Sequence, residues 1–219
     1  MTFSLCATVD GRHGAAVATK AIGVGSTAPF VCRHGAVCTQ AMTNTPIGVR
    51  ATRRLADGDP IDDAVAALLE DDPDAPLRQV HGVDHTGTTV AVTGDACETW
   101  AGDREGEGYT VAGNMLVDEG VLEAVADAFE TSADRPLDER LLVALRAGED
   151  TGGDKRREHA QSAALSVFDP DEPRLEHDLR VDEHDDAVTE LERLHDIAST
   201  TGADWAERFP AVDIQRHPE

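Results

Sequence analysis

The sequence predicts an α+β domain in which two mainly antiparallel sheets pack face to face with helices outside. Three observations predict it. Strand-type segments come in neighbouring pairs joined by Asp- and Gly-rich turns. Amphipathic helical segments sit in pairs between those strand groups. No repeat or long linker divides the 219 residues, a length that suits one generous domain.

Residues 3–9 form a short apolar run of strand type, Asp10-Gly11-Arg12-His13-Gly14 supplies a turn, and 15–19 reads as the return strand. After a Gly-rich connection at Gly23 to Ser26, further strand material lies at 29–32 and 35–40. Pro46 ends that region, and 47–57 is the first expected helix. Asp59 as N-cap and Pro60 in the first helical position announce the second, whose stripe is Ile61, Ala64, Val65, Leu68 and Leu69. Asp71-Asp72-Pro73 stops it. Strands near 77–83 and 88–93 flank Asp84-His85-Thr86-Gly87, a hairpin signal.

Residues 94–108, rich in Gly and acids around Trp100, read as a loop, and 109–112 as one more strand. Helices are expected at 118–130, with Val121, Leu122, Val125 and Phe129 on one face, and at 136–148, with Leu137, Leu141, Leu142 and Leu145. Strands near 161–168 and 176–182 and a helix at 185–199 complete a single domain over 1–201. Residues 202–219 read as an acidic tail anchored by Trp205 and Phe209.

Composition excludes several functions. Asp and Glu number 43 against 19 Lys and Arg, a net charge of −24, so no basic face is visible for nucleic acid. No apolar run reaches the roughly 18 residues a membrane helix needs. The opening Met1 to Cys6 lacks a basic start and a long apolar stretch, so a cytoplasmic protein is expected. The only lysines are Lys20 and Lys155. An acidic, lysine-poor surface resembles that of halophile proteins, because at about 1 M salt the Debye length falls to roughly 3 Å and like-charge repulsion is screened. An acidic mesophilic protein has the same composition.

Cys6, Cys32, Cys38 and Cys97 form no C-x-x-C pair, and Cys6 and Cys38 read as small buried hydrophobes. His177 and His184 flank a stretch of alternating acids and apolar residues and read as solvated surface. No metal site and no cofactor are expected.

One constellation carries chemistry. Met1 is followed by Thr2, small enough for the initiator to be trimmed. Trimming leaves a hydroxyl nucleophile and a free α-amine on one residue at the head of a strand. That amine, with a pKa of about 7.7–8.0, suits a general base near neutral pH, and a Thr hydroxyl needs such a base to attack an amide.

The opening T-F-S-L with D-G-x-x-G and A-V-A-T-K-A-I-G-V-G-S resembles the family called domain of unknown function 1028. So do G-A-V-C-T-Q-A-M-T-N at 35–44, Trp100-Ala101-Gly102, G-E-G-Y and V-A-G-N-M-L over 106–116, G-G-D-K-R at 152–156, Q-S-A-A-L at 161–165 and D-L-R-V-D at 178–182. Together they span residues 2 to about 195. The resemblance implies a four-layer αββα sandwich like that of N-terminal-nucleophile (Ntn) hydrolases, without implying a known reaction. Arg33-His34 and the stretch 157–160 depart from the family pattern and bear on the local pocket wall, not on the fold.

Carried over by chemistry, Thr2 is the candidate nucleophile. Lys20 either helps keep its amine neutral or is ordinary surface. Gln40 and Asn44 offer amide donors for an oxyanion, Asn44 equally a turn amide. Asp10 is a turn residue first and a candidate for orienting the amine second. Asn114, Asp154 and Arg156 are candidates for the substrate pocket, with Asp154 and Arg156 alternatively an ion pair. Two functions follow. One is an Ntn-type amidohydrolase acting on a small amide or peptide-like substrate, the other a non-catalytic oligomeric binding protein on the same fold. A homo-oligomer is expected in either case.

Overall fold

The computed structural model describes residues 1–153, 155–156, 159–170 and 174–208. Strands β1 (Thr2–Val9) and β2 (Arg12–Thr19) open the chain as a hairpin. Asp10 and Gly11 alone make the turn, with φ of 51° and 79°, the left-handed pair that joins twisted strands without splaying them. The return strand thus begins at Arg12, three residues earlier than the sequence reading, and Thr2 falls opposite Thr19.

Strands β3 (Pro29–Cys32) and β4 (Gly35–Ala41) precede helices α1 (Thr45–Ala56) and α2 (Ile61–Glu70). Pro60, not Asp59, is the N-cap of α2. Strands β5 (Arg78–Asp84) and β6 (Thr89–Thr93) follow. Next come β7 (Gly102–Gly106) and β8 (Tyr109–Asn114). The expected loop over 94–108 therefore contains a strand. Its Asp103, Arg104 and Glu105 are exposed on a sheet edge, so no apolar period betrays it.

Helices α3 (Gly120–Thr131) and α4 (Leu137–Asp150), strands β9 (Ser162–Asp169) and β10 (Arg174–Val181), and helix α5 (Ala187–Arg208) complete the order. Helix α5 runs past 199 through the first seven residues of the expected tail, including Trp205; Phe209 and the rest lie outside the described residues.

The strands form a six-stranded sheet, β10-β9-β2-β1-β8-β7, and a four-stranded sheet, β3-β4-β5-β6. Every pairing is antiparallel. Helices α3, α4 and α5 cover the larger sheet through a core holding Phe3, Leu5, Val111, Phe129, Leu141, Leu165 and Leu191. Helices α1 and α2 cover the smaller through Val37, Ile47, Ala51, Leu55, Ile61 and Val80. The architecture is a four-layer αββα sandwich. Each large buried side chain contributes about 1.5–3 kcal/mol, and with aromatics at 4% the load falls mainly on Leu, Val and Ala.

The space between the sheets is different. Strand residues alternate faces, so Phe3, Leu5 and Ala7 point to the helices while Ser4 and Cys6 point to the opposite sheet. Cys6, Cys38, Ala15, Ala36 and Val83 form a small apolar cluster there, and burial pushes the Cys6 thiol up. Beside it runs a buried polar chain. Ser4 Oγ donates to Gln40 Oε1 at 2.7 Å and so accepts from His81 Nε2 at 2.7 Å. His81 Nδ1 then accepts from Thr110 Oγ1 at 2.8 Å, which fixes the Nε2-protonated tautomer. Gln40 Nε2 donates to Gln79 Oε1 at 2.8 Å.

Candidate active site

Thr2 enters the larger sheet between Thr19 of β2 and Asn114 of β8. Its Oγ1 lies 3.0 Å from Thr19 Oγ1, which also donates to the Met1 carbonyl. All three residues line a cavity of about 400 Å³ at the end of the sandwich. The segment after β2 (Ala21, Ile22, Val24, Thr27), the end of β4 (Ala41 to Thr43), Leu77 and Ala96 to Glu98 supply the other walls, with Met115 beside Met1. Ile22 and Met42 are more than half exposed at its rim, an apolar mouth to a hydroxyl-bearing interior.

Met1 itself is buried, with its amine 3.1 Å from Met115 Sδ. Two cavity residues, Ala41 and Met115, hold positive φ values of 66° and 55°. Side-chain-bearing residues adopt that region at a cost of about 1–3 kcal/mol, which the surrounding packing must impose. Such strain gathers at functional sites.

The sequence candidates separate in space. Thr2 and Asn114 meet at the cavity. Asn114 Nδ2 donates to Gln79 Oε1 at 3.0 Å, so its amide plane is held. Gln40 lies one layer behind, committed to Ser4 and Gln79, and is not among the cavity-lining residues. Asn44 Nδ2 donates to Asp72 Oδ2 at 2.8 Å, away from the cavity. Asp72 also receives Arg78 Nε at 2.9 Å, and this guanidinium holds the Asp72 carboxyl at about 2.

Lys20 follows β2, half-buried, and its charge acts on the buried Glu149. Burial pushes the Glu149 carboxyl up, while the Ala160 amide at 2.5 Å and the Lys20 ammonium oppose it. Lys20 is not a lining residue. Asp10 sits exposed in the hairpin turn at the far end of β1 from Thr2, and Asp154 lies outside the described residues. Arg156 is exposed in a turn and also does not line the cavity. Its neighbour Lys155 reaches Thr99 O at 2.6 Å and Glu98 Oε1 at 3.4 Å, which brings Lys155 to the outer edge of the wall.

Thr19, Met115, Glu98 and Lys155 escaped the sequence reading. The signal for Thr19 was present: a two-residue Asp-Gly turn pairs residues whose numbers sum to 21, and so sets Thr2 against Thr19.

Comparison with known proteins places the chain. No curated protein matches it. A crystal structure of a protein from Silicibacter pomeroyi, assigned to the DUF1028 family model, superposes with a TM-score of 0.85 at 33% identity, over 94% of this chain and 93% of the other. Anbu from Hyphomicrobium sp. strain MC1 aligns at 12% identity and a TM-score of 0.41, over 98% of this chain and 100% of Anbu, and a mutant of it at 11% and 0.43, over 99% and 100%. That likeness is too distant to bear on function. The family model described as "Family of unknown function (DUF1028)" matches residues 2–191. The chain belongs to the DUF1028 family.

Proposed function

We propose that this protein, once Met1 is removed, is an amidohydrolase that uses Thr2 to cleave a small amide or peptide-like substrate. The observation that carries the reading is the placement of the Thr2 hydroxyl, 3.0 Å from the Thr19 hydroxyl on the wall of a 400 Å³ cavity. Removal of Met1 converts the Thr2 nitrogen into a primary amine on the same residue and vacates the space Met1 fills against Met115.

In the proposed reaction the amine accepts the Thr2 Oγ proton as Oγ bonds to the substrate carbonyl carbon. Collapse of the tetrahedral intermediate breaks the C–N bond, and the same proton leaves with the departing amine. Water then attacks the Thr2 ester by the reverse proton route and releases the acid. Asn114 presents an amide at the cavity, its plane set by Gln79; one such donor on the oxyanion is worth roughly 3 kcal/mol. The apolar rim of Ile22 and Met42 favours a substrate with an apolar group beside its amide.

The experiment is the Thr2→Ala variant against a panel of amides and acyl-homoserine-like compounds. Loss of the wild-type turnover supports the reading, and survival of turnover removes Thr2 from the mechanism. The burial of Met1 favours the second reading, a binding protein that keeps its initiator, and an intact mass that includes Met1 selects it.

We infer also a salt-rich cytoplasm, on the strength of the net charge of −24, and a homo-oligomer, because the helix layers of such a sandwich offer faces for association. Light scattering and a Tm that rises from dilute to multimolar potassium chloride test these two points. No helix of the described residues is long and apolar enough to cross a membrane.

A further inference from the structure

On the opposite side of the larger sheet, three chemistry-bearing side chains converge that the proposed reaction does not use. Asp138 lies in the first turn of α4, His177 on β10, and His195 in the middle of α5. All three are buried. Asp138 Oδ2 stands 2.7 Å from His195 Nε2 and 3.4 Å from His177 Nε2, and the two imidazoles are 4.9 Å apart, centre to centre.

We propose that Asp138, His177 and His195 form a binding site for one divalent first-row transition ion of the zinc class. The spacing of the three side chains suits such an ion. Ligand atoms about 2.1 Å from a tetrahedral ion lie about 3.4 Å from one another. The 3.4 Å separation already matches that spacing, and the 2.7 Å one opens to it by about 0.7 Å, a side-chain adjustment. The three ligand atoms all lie within 4.8 Å of one another.

Donor chemistry is the second argument. Two imidazole nitrogens with one carboxylate oxygen suit zinc, cobalt or nickel and offer little to calcium or magnesium. Approach is the third. His195 also lines an open depression of about 450 Å³ whose three acids, Glu139, Glu192 and Asp196, outnumber its one Arg, although Arg135 pairs with Glu139 and Arg146 with Glu192, so a cation meets a modest net negative charge on the way in.

The other convergent group, Cys6, Cys38 and His81, is a poorer site. Both nitrogens of His81 are already engaged by Ser4 and Thr110, and the group is sealed between the sheets. An ion at Asp138, His177 and His195 ties α4, β10 and α5 together, and so clamps the last helix onto the sheet.

The test uses the full-length protein stripped with a chelator, dialysed, and titrated with cobalt(II) and zinc(II) alone. The expected result is one ion per chain by elemental analysis, with cobalt(II) giving visible bands of an N/O-ligated four- or five-coordinate ion. At about a hundredfold excess over Kd, zinc is expected to raise the Tm by about 5–10 °C. His177→Gln and His195→Gln, checked for folding by circular dichroism, are expected to lose the ion, while His184→Gln, altered at an exposed His, keeps it.

Absence of binding in the stripped wild type overturns the site, as does full binding in both glutamine variants. Should those variants fail to fold, X-ray absorption on the zinc-loaded wild type decides. Nitrogen and oxygen scatterers alone support the site, and a sulfur scatterer overturns it.

Discussion

Thr2 and Thr19 face each other across the first hairpin with their hydroxyl oxygens 3.0 Å apart, and Thr19 also donates to the carbonyl of Met1. Thr19 therefore holds both the candidate nucleophile and the peptide bond that must be cut to free its amine. Thr19→Val keeps the shape and removes the hydroxyl. A hydrogen bond of about 1 kcal/mol corresponds to a factor of about five in rate. The variant is expected to lower kcat about fivefold, leave KM unchanged and retain more Met1 by mass spectrometry. An unchanged kcat with complete Met1 removal contradicts the role.

The polar layer between the sheets converges on Gln79. Its Oε1 accepts from Gln40 and Asn114, and its Nε2 serves Thr93 Oγ1, Gly102 O and Gly113 O at 2.8–3.0 Å. Gln79→Leu strands two buried amide donors at about 1–3 kcal/mol each. Urea unfolding is expected to show a loss of about 2–5 kcal/mol. A midpoint matching the wild type would mean that the layer is hydrated or rearranges freely.

Phe3 fixes the head of β1 against α4 by packing on Gly148. A Cβ at Gly148 would lie 2.7 Å from both Phe3 Cε2 and Val125 Cγ2. Alanine in a helix interior normally gains about 1 kcal/mol over glycine. Here the overlap with two fully buried side chains outweighs that gain. Gly148→Ala is expected to lose about 1–2 kcal/mol net and to lower the Tm by several degrees. A raised Tm would show that Phe3 can shift at little cost.

Burial pushes the His13 imidazole down to about 4, assisted by His85 and His34 and opposed by the Arg33 backbone and Asp84. Thr8 Oγ1 lies 3.0 Å from its Nδ1. Since the unfolded imidazole protonates near 6.5, the unfolded chain binds the extra proton first as pH falls. Stability attributable to His13 is complete above 6.5 and is lost progressively between 6.5 and 4. His13→Gln is expected to flatten the Tm profile in that window relative to wild type. Parallel profiles would place the acid sensitivity elsewhere.

Much of the fold was legible because its signals are local. The stripes of α3 and α4 match the observed core through Val121, Leu122, Val125 and Phe129, then Leu137, Leu141, Leu142 and Leu145, and the first hairpin is where the sequence puts it, although reading its turn as far as Gly14 hid the register that sets Thr2 against Thr19. The interior polar layer was not legible. Period-two alternation marks Ser4 as the outward residue of a half-buried strand, yet its partners Gln40 and His81 lie 36 and 77 positions away on the opposite sheet. His177 read as solvated surface for the same reason. Its partner Asp138 comes from helix α4, and only the fold brings the strand and the helix together. Lys20 follows the partner of Thr2 in the hairpin, yet its charge acts on Glu149, while the Gln40 and Asn44 amides go to Gln79 and Asp72.

The amidohydrolase account stands on the species present after processing, and the intact mass of the natively expressed, turnover-competent protein tests it most directly. The account predicts a mass short by one methionine residue, and a transient acyl adduct on Thr2 when a slow amide or ester substrate is added. Active protein that retains Met1, or an adduct located on any other residue, would contradict it.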